Sequence, residues 1–258
     1  MRILVAYKWT CDPEEATVST DGTVDWSRAK QGISTYDPVA IELARRLAEA
    51  AGAELIGLTA GAKGVGTPIA TKAALSRGLD RVVIVEDDSL REAGRSELAA
   101  VLAEAVRRIG EVDLIITGDS SVDVAAKMVP TVLAGVLGWP AVAEVTAATG
   151  QPGALRVERA IPGGVQVLEI SGPAVLAASA DAAVPHVPGM KELLAAGKKP
   201  VEHLELTALK VPATSAVMTV TGRSRPDRKA RKGQLLDSTE PAAAAAELVT
   251  ALREAGVL

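Results

Sequence analysis

The chain has 258 residues, of which 48% are hydrophobic and only 2% aromatic, and its formal net charge is −4. This apolar content excludes a disordered chain, and the acidic balance disfavours a general nucleic-acid-binding protein. The single cysteine, Cys11, excludes an intrachain disulfide, and neither a cysteine-rich nor a histidine-rich metal site can form. The N-terminus turns polar too soon for a signal peptide, and no run of about eighteen apolar residues occurs, so we expect a cytoplasmic protein.

Short apolar runs alternate with amphipathic segments through the first 140 residues. This alternation predicts strands that pair in parallel and are joined by helices in right-handed crossovers. The expected strands cover residues 2–8, 54–59, 81–85 and 113–117, and the expected helices cover residues 38–51, 68–77, 95–109 and 125–137. Asp37 is predicted to be the N-cap of the first helix, with Pro38 as its first helical residue.

The pattern changes beyond Trp139. Residues 155–159 and 165–170 flank the Pro162-Gly163-Gly164 turn, which predicts a β-hairpin. The segments that follow are a strand at 174–178, a short helix at 191–196, an extended connector at 200–209, a polar basic arm at 218–233 and a final helix at 239–255. We therefore expect a doubly wound, mainly parallel α/β domain over residues 1–209, with the hairpin at about 155–170. Residues 210–258 would form a C-terminal arm that ends in a helix.

Ligands of parallel α/β sheets bind outside the carboxyl ends of the strands. The loops that follow Ala6, Thr59 and Thr117 therefore form the candidate site. Residues 61–66 are rich in glycine and could hold a phosphate, but the Gly-Lys-Ser/Thr ending of a Walker loop is missing, and a simple turn is the alternative. Residues 118–123 could present backbone amides to an anion, or they could form an ordinary capping loop.

No self-contained catalytic site is expected. Ser120 and Ser121 have no candidate histidine base, and the acidic residues show no spacing typical of a carboxylate pair or a metal triad. Cys11 could be a reactive thiol near Lys8 or simply a small apolar residue. Residues 223–232 carry six cations, which could contact phosphate, an acidic partner or only water. That basic segment has no aromatic residue, which argues against binding of single-stranded nucleic acid.

Several short motifs occur in a fixed order along the chain. They are Leu4-Val5-Ala6 with Lys8 and Asp12, Ile33-Ser34-Thr35-Tyr36-Asp37 with Ala40, Glu42 and Ala44, Gly78-Leu79-Asp80-Arg81, Leu137-Gly138-Trp139-Pro140, Val157-Glu158-Arg159, Pro173-Ala174-Val175 and Lys198-Lys199-Pro200 with Glu202. Together they resemble the β-subunit of electron transfer flavoproteins, including the FixA-like branch. The resemblance extends along nearly the whole chain.

The resemblance implies an electron-carrier subunit with an adenine nucleotide α-hydrolase-like fold. A larger α-subunit would carry the redox-active FAD, and this subunit would hold AMP or a second FAD. The nucleotide pocket would be lined by Ala6, Ser34, Thr35, Tyr36, Asp37, Thr59, Ala60, Gly61, Gly118, Ser120, Asp123, Ala126 and Val129. A loop at about residues 184–200 would dock a dehydrogenase or another redox partner through Met190, Lys191 and Leu193.

The loop after the fourth strand departs from the family pattern. Ser120 stands where the family has Gln, Ala125 where it has Asp, Ala126 where it has Thr or Cys, Met128 where it has Gln, and Pro130 where it has Gly. Whether this subunit holds AMP, FAD or no nucleotide is therefore left open. Two alternatives keep the same fold: a nucleotide-binding regulatory module, and a structural subunit that has lost its nucleotide.

Overall fold

The computed structural model describes residues 1–212, 221, 227, 230–237 and 239–258. The α-helices are α1 Asp37–Ala51, α2 Pro68–Leu75, α3 Arg95–Ile109, α4 Val129–Leu137, α5 Met190–Ala196 and α6 Pro241–Glu254. The strands are β1 Arg2–Ala6, β2 Trp9–Cys11, β3 Thr17–Val18, β4 Val24–Asp25, β5 Gln31–Ile33, β6 Glu54–Gly61, β7 Arg81–Glu86, β8 Leu114–Gly118, β9 Ala141–Gln151, β10 Ala154–Ile161, β11 Gly164–Ile170, β12 Ala174–Ala178 and β13 Val201–Leu204. None of the helices in these residues is both long and apolar enough to cross a membrane.

A nine-stranded sheet forms the centre of the molecule, in the order β11-β10-β9-β12-β8-β1-β6-β7-β13. The seven strands from β9 to β13 in this order pair in parallel, and β10 and β11 add an antiparallel hairpin at one end. This arrangement confirms the predicted doubly wound α/β fold with its hairpin. Two small antiparallel pairs, β2 with β5 and β3 with β4, lie between β1 and α1 in the chain.

Both faces of the sheet are covered by helices. Ile3 and Val5 of β1 face the layer that contains α1, while Leu4 faces the opposite layer with α3 and α4. Burial on two sides explains why the strands are almost continuously apolar, as expected for parallel strands. The same burial explains how a chain without phenylalanine can form a core, because Ala, Val, Leu and Ile fill both layers.

Two predictions about helix starts were wrong. Helix α4 begins at Val129 and not at residue 125, because Ala125 and Lys127 have positive φ values of 52° and 51° that a helix cannot contain. Pro130 therefore lies in the first turn, where its missing N–H is tolerated. Asp37 is the first residue of α1 and not its N-cap, which is Tyr36, because the Asp37 carboxylate is directed towards other backbone groups.

Two strands of the nine-stranded sheet were not predicted, nor were the four short strands β2 to β5. Strand β9 is rich in small residues (AVAEVTAATGQ) and lacks the apolar run that marks a buried strand, yet it joins the hairpin to the parallel sheet. Strand β13 lies in the predicted extended connector and pairs in parallel with β7.

Most of the basic arm predicted at residues 218–233 lies outside the described residues, as does much of its basic segment at 223–232.

Gly135 offers a test of the helix assignment. It lies in the interior of α4, and no atom lies within 4 Å of the position that its Cβ would take. Because alanine favours a helix over glycine, Gly135→Ala is expected to raise the free energy of unfolding by about 0.5–1 kcal/mol. Gly138→Ala is the matched control, since Gly138 ends α4 at φ 72° and a side chain there is strained. Urea denaturation measures both, and a lower midpoint for Gly135→Ala would contradict the assignment.

Candidate functional site

The carboxyl ends of four neighbouring strands meet at one edge of the sheet. Ala6 of β1 pairs with Leu58 of β6 on one side and with Thr117 of β8 on the other. Ala178 at the end of β12 pairs with Gly118. The three loops that the sequence singled out therefore begin side by side, and we call this region the carboxyl edge.

Asp37 connects the start of α1 with this edge. Its Oδ2 accepts a hydrogen bond from the backbone N–H of Lys8 at 2.7 Å, and its Oδ1 accepts one from the backbone N–H of Gly118 at 3.3 Å. The residue is only 4% exposed. Burial raises the pKa of Asp37 to about 7, although the two backbone donors favour the ionised form and oppose this rise. The carboxyl group thus holds the ends of β1 and β8 against α1.

Gly118 permits this close approach. A Cβ on Gly118 would lie 2.7 Å from Asp37 Oδ1, 2.8 Å from Tyr36 Cβ and 3.1 Å from the Tyr36 carbonyl carbon. Part of that overlap is with backbone, which cannot rotate away as a side chain can. A residue without a side chain is therefore required where α1 begins beside β8.

The loop between β8 and α4 is tied to the end of β1. Lys8 Nζ lies 2.6 Å from Asp123 Oδ2, which also accepts a hydrogen bond from Thr10 Oγ1 at 3.0 Å. The buried Ser34 hydroxyl accepts a hydrogen bond from the Val122 backbone N–H at 3.2 Å. These contacts place the loop next to the start of α1.

A second lysine bridges the same loop to β9. Lys127 Nζ lies 2.7 Å from Glu144 Oε1 and 3.0 Å from Asp119 Oδ2. Hydrogen bonds to Glu144 and Asp119 raise the pKa of Lys127 above its usual value. Glu144 has a φ of 57°, so both Lys127 and Glu144 are in the left-handed region. Strained residues of this kind are retained where the surrounding contacts fix them, and they are frequent at functional sites.

The structure brings many of the predicted pocket residues to the carboxyl edge. Ser34, Asp37, Gly118 and Asp123 are connected through hydrogen bonds around Lys8. The others lie at the strand ends or at the helix and loop positions that follow: Ala6, Thr59, Ala60 and Gly61 at β1 and β6, Thr35 and Tyr36 before α1, and Ser120, Ala126 and Val129 after β8. Their roles in nucleotide binding remain predictions.

Four charged residues of the carboxyl edge were not predicted as site residues from the sequence. Lys8 enters the sequence analysis only beside Cys11 and in a family-like motif, and Asp119 only as part of the 118–123 loop, while Lys127 and Glu144 have no assigned role there. Adjacency to the strand end was a usable signal for Lys8 and Asp119. No signal pointed to Lys127 and Glu144, because their pairing depends on β9, which was not predicted.

The glycine-rich loop at residues 61–66 has an acidic partner. The backbone N–H of Gly66 donates a hydrogen bond to Glu86 Oε2 at 2.6 Å, and a Cβ on Gly66 would lie 2.7 Å from that same oxygen. Lys63 Nζ lies 3.3 Å from Asp88 Oδ2. These contacts favour a structural turn over a phosphate-binding loop.

The loop predicted to dock a partner contains helix α5, which exposes apolar side chains, and polar contacts hold the loop in place. Met190 and Leu194 of α5 are 73% and 70% exposed, and Leu193 is also exposed. Lys199 Nζ donates hydrogen bonds to the carbonyl oxygens of Leu75 at 3.3 Å and Leu79 at 2.6 Å, which ties the end of the loop to α2 and the turn after it.

A second contact supports the start of the docking loop. An Arg77 guanidinium N–H donates to the His186 carbonyl oxygen at 3.1 Å, and His186 Nε2 lies 2.8 Å from Glu192 Oε1. The first turn of α5 is closed by the Gly189 N–H, which donates to Glu192 Oε2 at 2.7 Å. These hydrogen bonds fix the backbone of α5, so its apolar side chains are exposed in a defined position.

Comparison with known families agrees with this arrangement. A family model described as the electron transfer flavoprotein domain matches residues 21–209, which is most of the chain. The match spans α1 to α5 and both loops of the carboxyl edge that follow β6 and β8. The chain therefore belongs to the electron transfer flavoprotein domain family.

Proposed function

We propose that this chain is the β-type subunit of an electron transfer flavoprotein, of the group that includes the FixA-like proteins. It would pair with a larger α-type subunit that carries FAD, and the complex would pass electrons from a dehydrogenase to an acceptor. The family match supports the electron-transfer role. The motifs around Lys8, Asp37 and Trp139 support the β-type assignment.

Helix α6 is the observation that carries the proposal of a partner subunit. None of its residues is buried, and Leu248 is 48% exposed. Ala244, Leu248, Ala251 and Leu252 follow one another at helical spacing and form one apolar stripe. A single helix of this length is marginal in water, so its stability requires a surface against which the stripe packs. We infer that residues 210–258 form an arm that packs on the α-type subunit, and that residues 1–209 form the α/β domain.

Helix α5 would form the contact with the redox partner. Its exposed apolar residues, Met190, Leu193 and Leu194, lie together on a short helix, and Lys191 adds a cation beside them. Exposed apolar patches with a polar rim are typical of protein interfaces. Because polar contacts hold the loop on α2, this patch needs little ordering when a partner docks.

The FAD of the partner subunit would supply the redox chemistry when it is bound. The described residues of this chain would contribute a rigid wall and the electrostatic surroundings of the flavin, through the ordered carboxyl edge and the charged side chains on it. The chain would thus act as an electron-carrier subunit without a catalytic site of its own.

Co-expression with an α-type subunit of the same source tests the proposal. The tagged chain is purified under native conditions, and the released nucleotides are identified by chromatography after denaturation. We expect a complex with one copy of each subunit and one FAD, whereas the chain expressed alone is colourless. A chain that stays monomeric and free of flavin beside the α-type subunit would refute the proposal.

A further inference from the structure

Lys8 is a cation that a phosphate at the carboxyl edge would use, and it is already paired. Its Nζ lies 2.6 Å from Asp123 Oδ2, within the distance of a charge-assisted hydrogen bond. The same Asp123 oxygen accepts a hydrogen bond from Thr10 Oγ1 at 3.0 Å. A carboxylate of the chain thus occupies the place of an anionic ligand on both donors.

Lys127 is likewise paired, with two carboxylates. Its Nζ bridges Asp119 Oδ2 and Glu144 Oε1 at 3.0 and 2.7 Å. With Asp123, three carboxylates face two ammonium groups, so the fixed charges in these ion pairs sum to a negative value. Asp119 Oδ1 and Asp123 Oδ1 are buried and have no hydrogen-bond partner among the described residues, which adds acceptors and no donors.

Two backbone groups of the kind that commonly bind phosphate are also occupied or missing. The Gly66 N–H donates to Glu86 Oε2 at 2.6 Å, so this amide of the glycine loop already has an anionic partner. Helix α4 begins with Pro130 in its first turn, which removes one of the N–H groups that make a helix N-terminus attractive to anions.

We infer that the carboxyl edge of this chain is closed to nucleotide phosphate by its own carboxylates, so that the subunit holds neither AMP nor a second FAD. A phosphate would have to displace Asp123 from Lys8 and then lie beside the free oxygens of Asp119 and Asp123. Replacing the Asp123 carboxylate by a phosphate on Lys8 gains little attraction, because one anion is exchanged for another. The negative charges of Asp119 and Asp123 would then repel the phosphate. These contacts close the edge in the lone chain, and only the consequence for the complex rests on the proposed function.

Titration of the purified chain alone tests the inference directly. AMP, ADP and FAD are added separately and followed by calorimetry. We expect a Kd above about 1 mM for each, which corresponds to less than about 4 kcal/mol of binding free energy. Binding of any of the three in the micromolar range would overturn the inference, whatever the behaviour of the variants.

The variant Asp123→Asn tests the physical reason. It removes the charge that neutralises Lys8 and keeps the shape of the side chain, so AMP should bind at least about ten-fold more tightly than to the unaltered chain. The control Asp21→Asn makes the same change of net charge at an exposed turn, where the carboxylate accepts from the Thr23 backbone N–H, and it should not gain affinity. A folded Asp123→Asn chain with unchanged affinity would overturn the role of the carboxylate.

Nucleotide counting in the complex separates this inference from the proposed function. One FAD and no AMP per heterodimer supports both. One FAD together with AMP, or two FAD, overturns the inference and leaves the β-type assignment intact. No partner and no FAD overturns the proposed function, while the titration of the lone chain still decides the inference.

Discussion

Asp37→Ala is expected to lower the free energy of unfolding by about 2–6 kcal/mol at pH 5. The substitution leaves the backbone N–H groups of Lys8 and Gly118 without their acceptor, and an unpaired buried donor costs about 1–3 kcal/mol. It also removes the contact that holds α1 to the ends of β1 and β8. Urea denaturation followed by circular dichroism measures the loss.

Asp37→Asn is the matched control for shape. Its single amide oxygen can replace only one of the two acceptors, so we expect a loss smaller than that of the alanine variant and still clearly measurable. An alanine variant with the midpoint of the unaltered chain would show that these two hydrogen bonds do not hold the edge together.

The stabilisation by Asp37 should also depend on pH. In the folded chain its pKa is raised from 3.8 to about 7, so the folded state binds the proton more tightly than the unfolded state between these values. The stabilisation is therefore complete below about pH 4 and is lost as the pH rises through about 7, at about 1.4 kcal/mol per pH unit. The difference in unfolding free energy between the unaltered chain and Asp37→Asn should shrink over this range. A difference that grows with pH would contradict the raised pKa.

The sheet and its helices could be predicted because their signals are local. Two-sided burial makes β1, β6, β7 and β8 continuous apolar runs, and the positions of α1 and α3 follow from helical spacing. The position of the carboxyl edge then followed from topology alone. Strand β9 escaped prediction because its stability comes from its place between β12 and β10, and its small residues carry no apolar pattern of their own.

The chemistry of the carboxyl edge was harder to predict because it depends on contacts between distant residues. Lys8 and Asp123 are 115 residues apart, and Lys8 and Asp37 are 29 apart. Lys127 has a positive φ, but no glycine marks this position in the sequence. Its bridge with Glu144 therefore could not be predicted. The departure of the loop after Gly118 from the pattern that it resembles was visible in the sequence. The carboxylates that occupy the remaining donors became visible only in the folded chain.

Leu248→Asp should abolish co-purification with the proposed FAD-carrying subunit. Leu248 lies in the middle of the apolar stripe of α6, and its burial in a complex would remove a whole leucine side chain from water, a gain of about 1.5–3 kcal/mol. An aspartate at that position would lose this gain and would also bury an unpaired charge. Together these terms correspond to a loss of affinity of at least about a hundred-fold. Retention of the FAD-containing complex on the tagged chain measures the effect.

Thr250→Asp distinguishes loss of an interface from loss of the helix. Thr250 lies two residues further along α6 and on the side away from the stripe, so the same charge is added to the same helix without entering the contact surface. This variant should retain the partner and its FAD. Because no residue of α6 is buried in the free chain, both variants should unfold at the urea midpoint of the unaltered chain. Equal loss of the partner in the two variants would mean that the arm fails as a helix. Retention of the partner by Leu248→Asp would instead place the subunit interface outside α6, on the α/β domain.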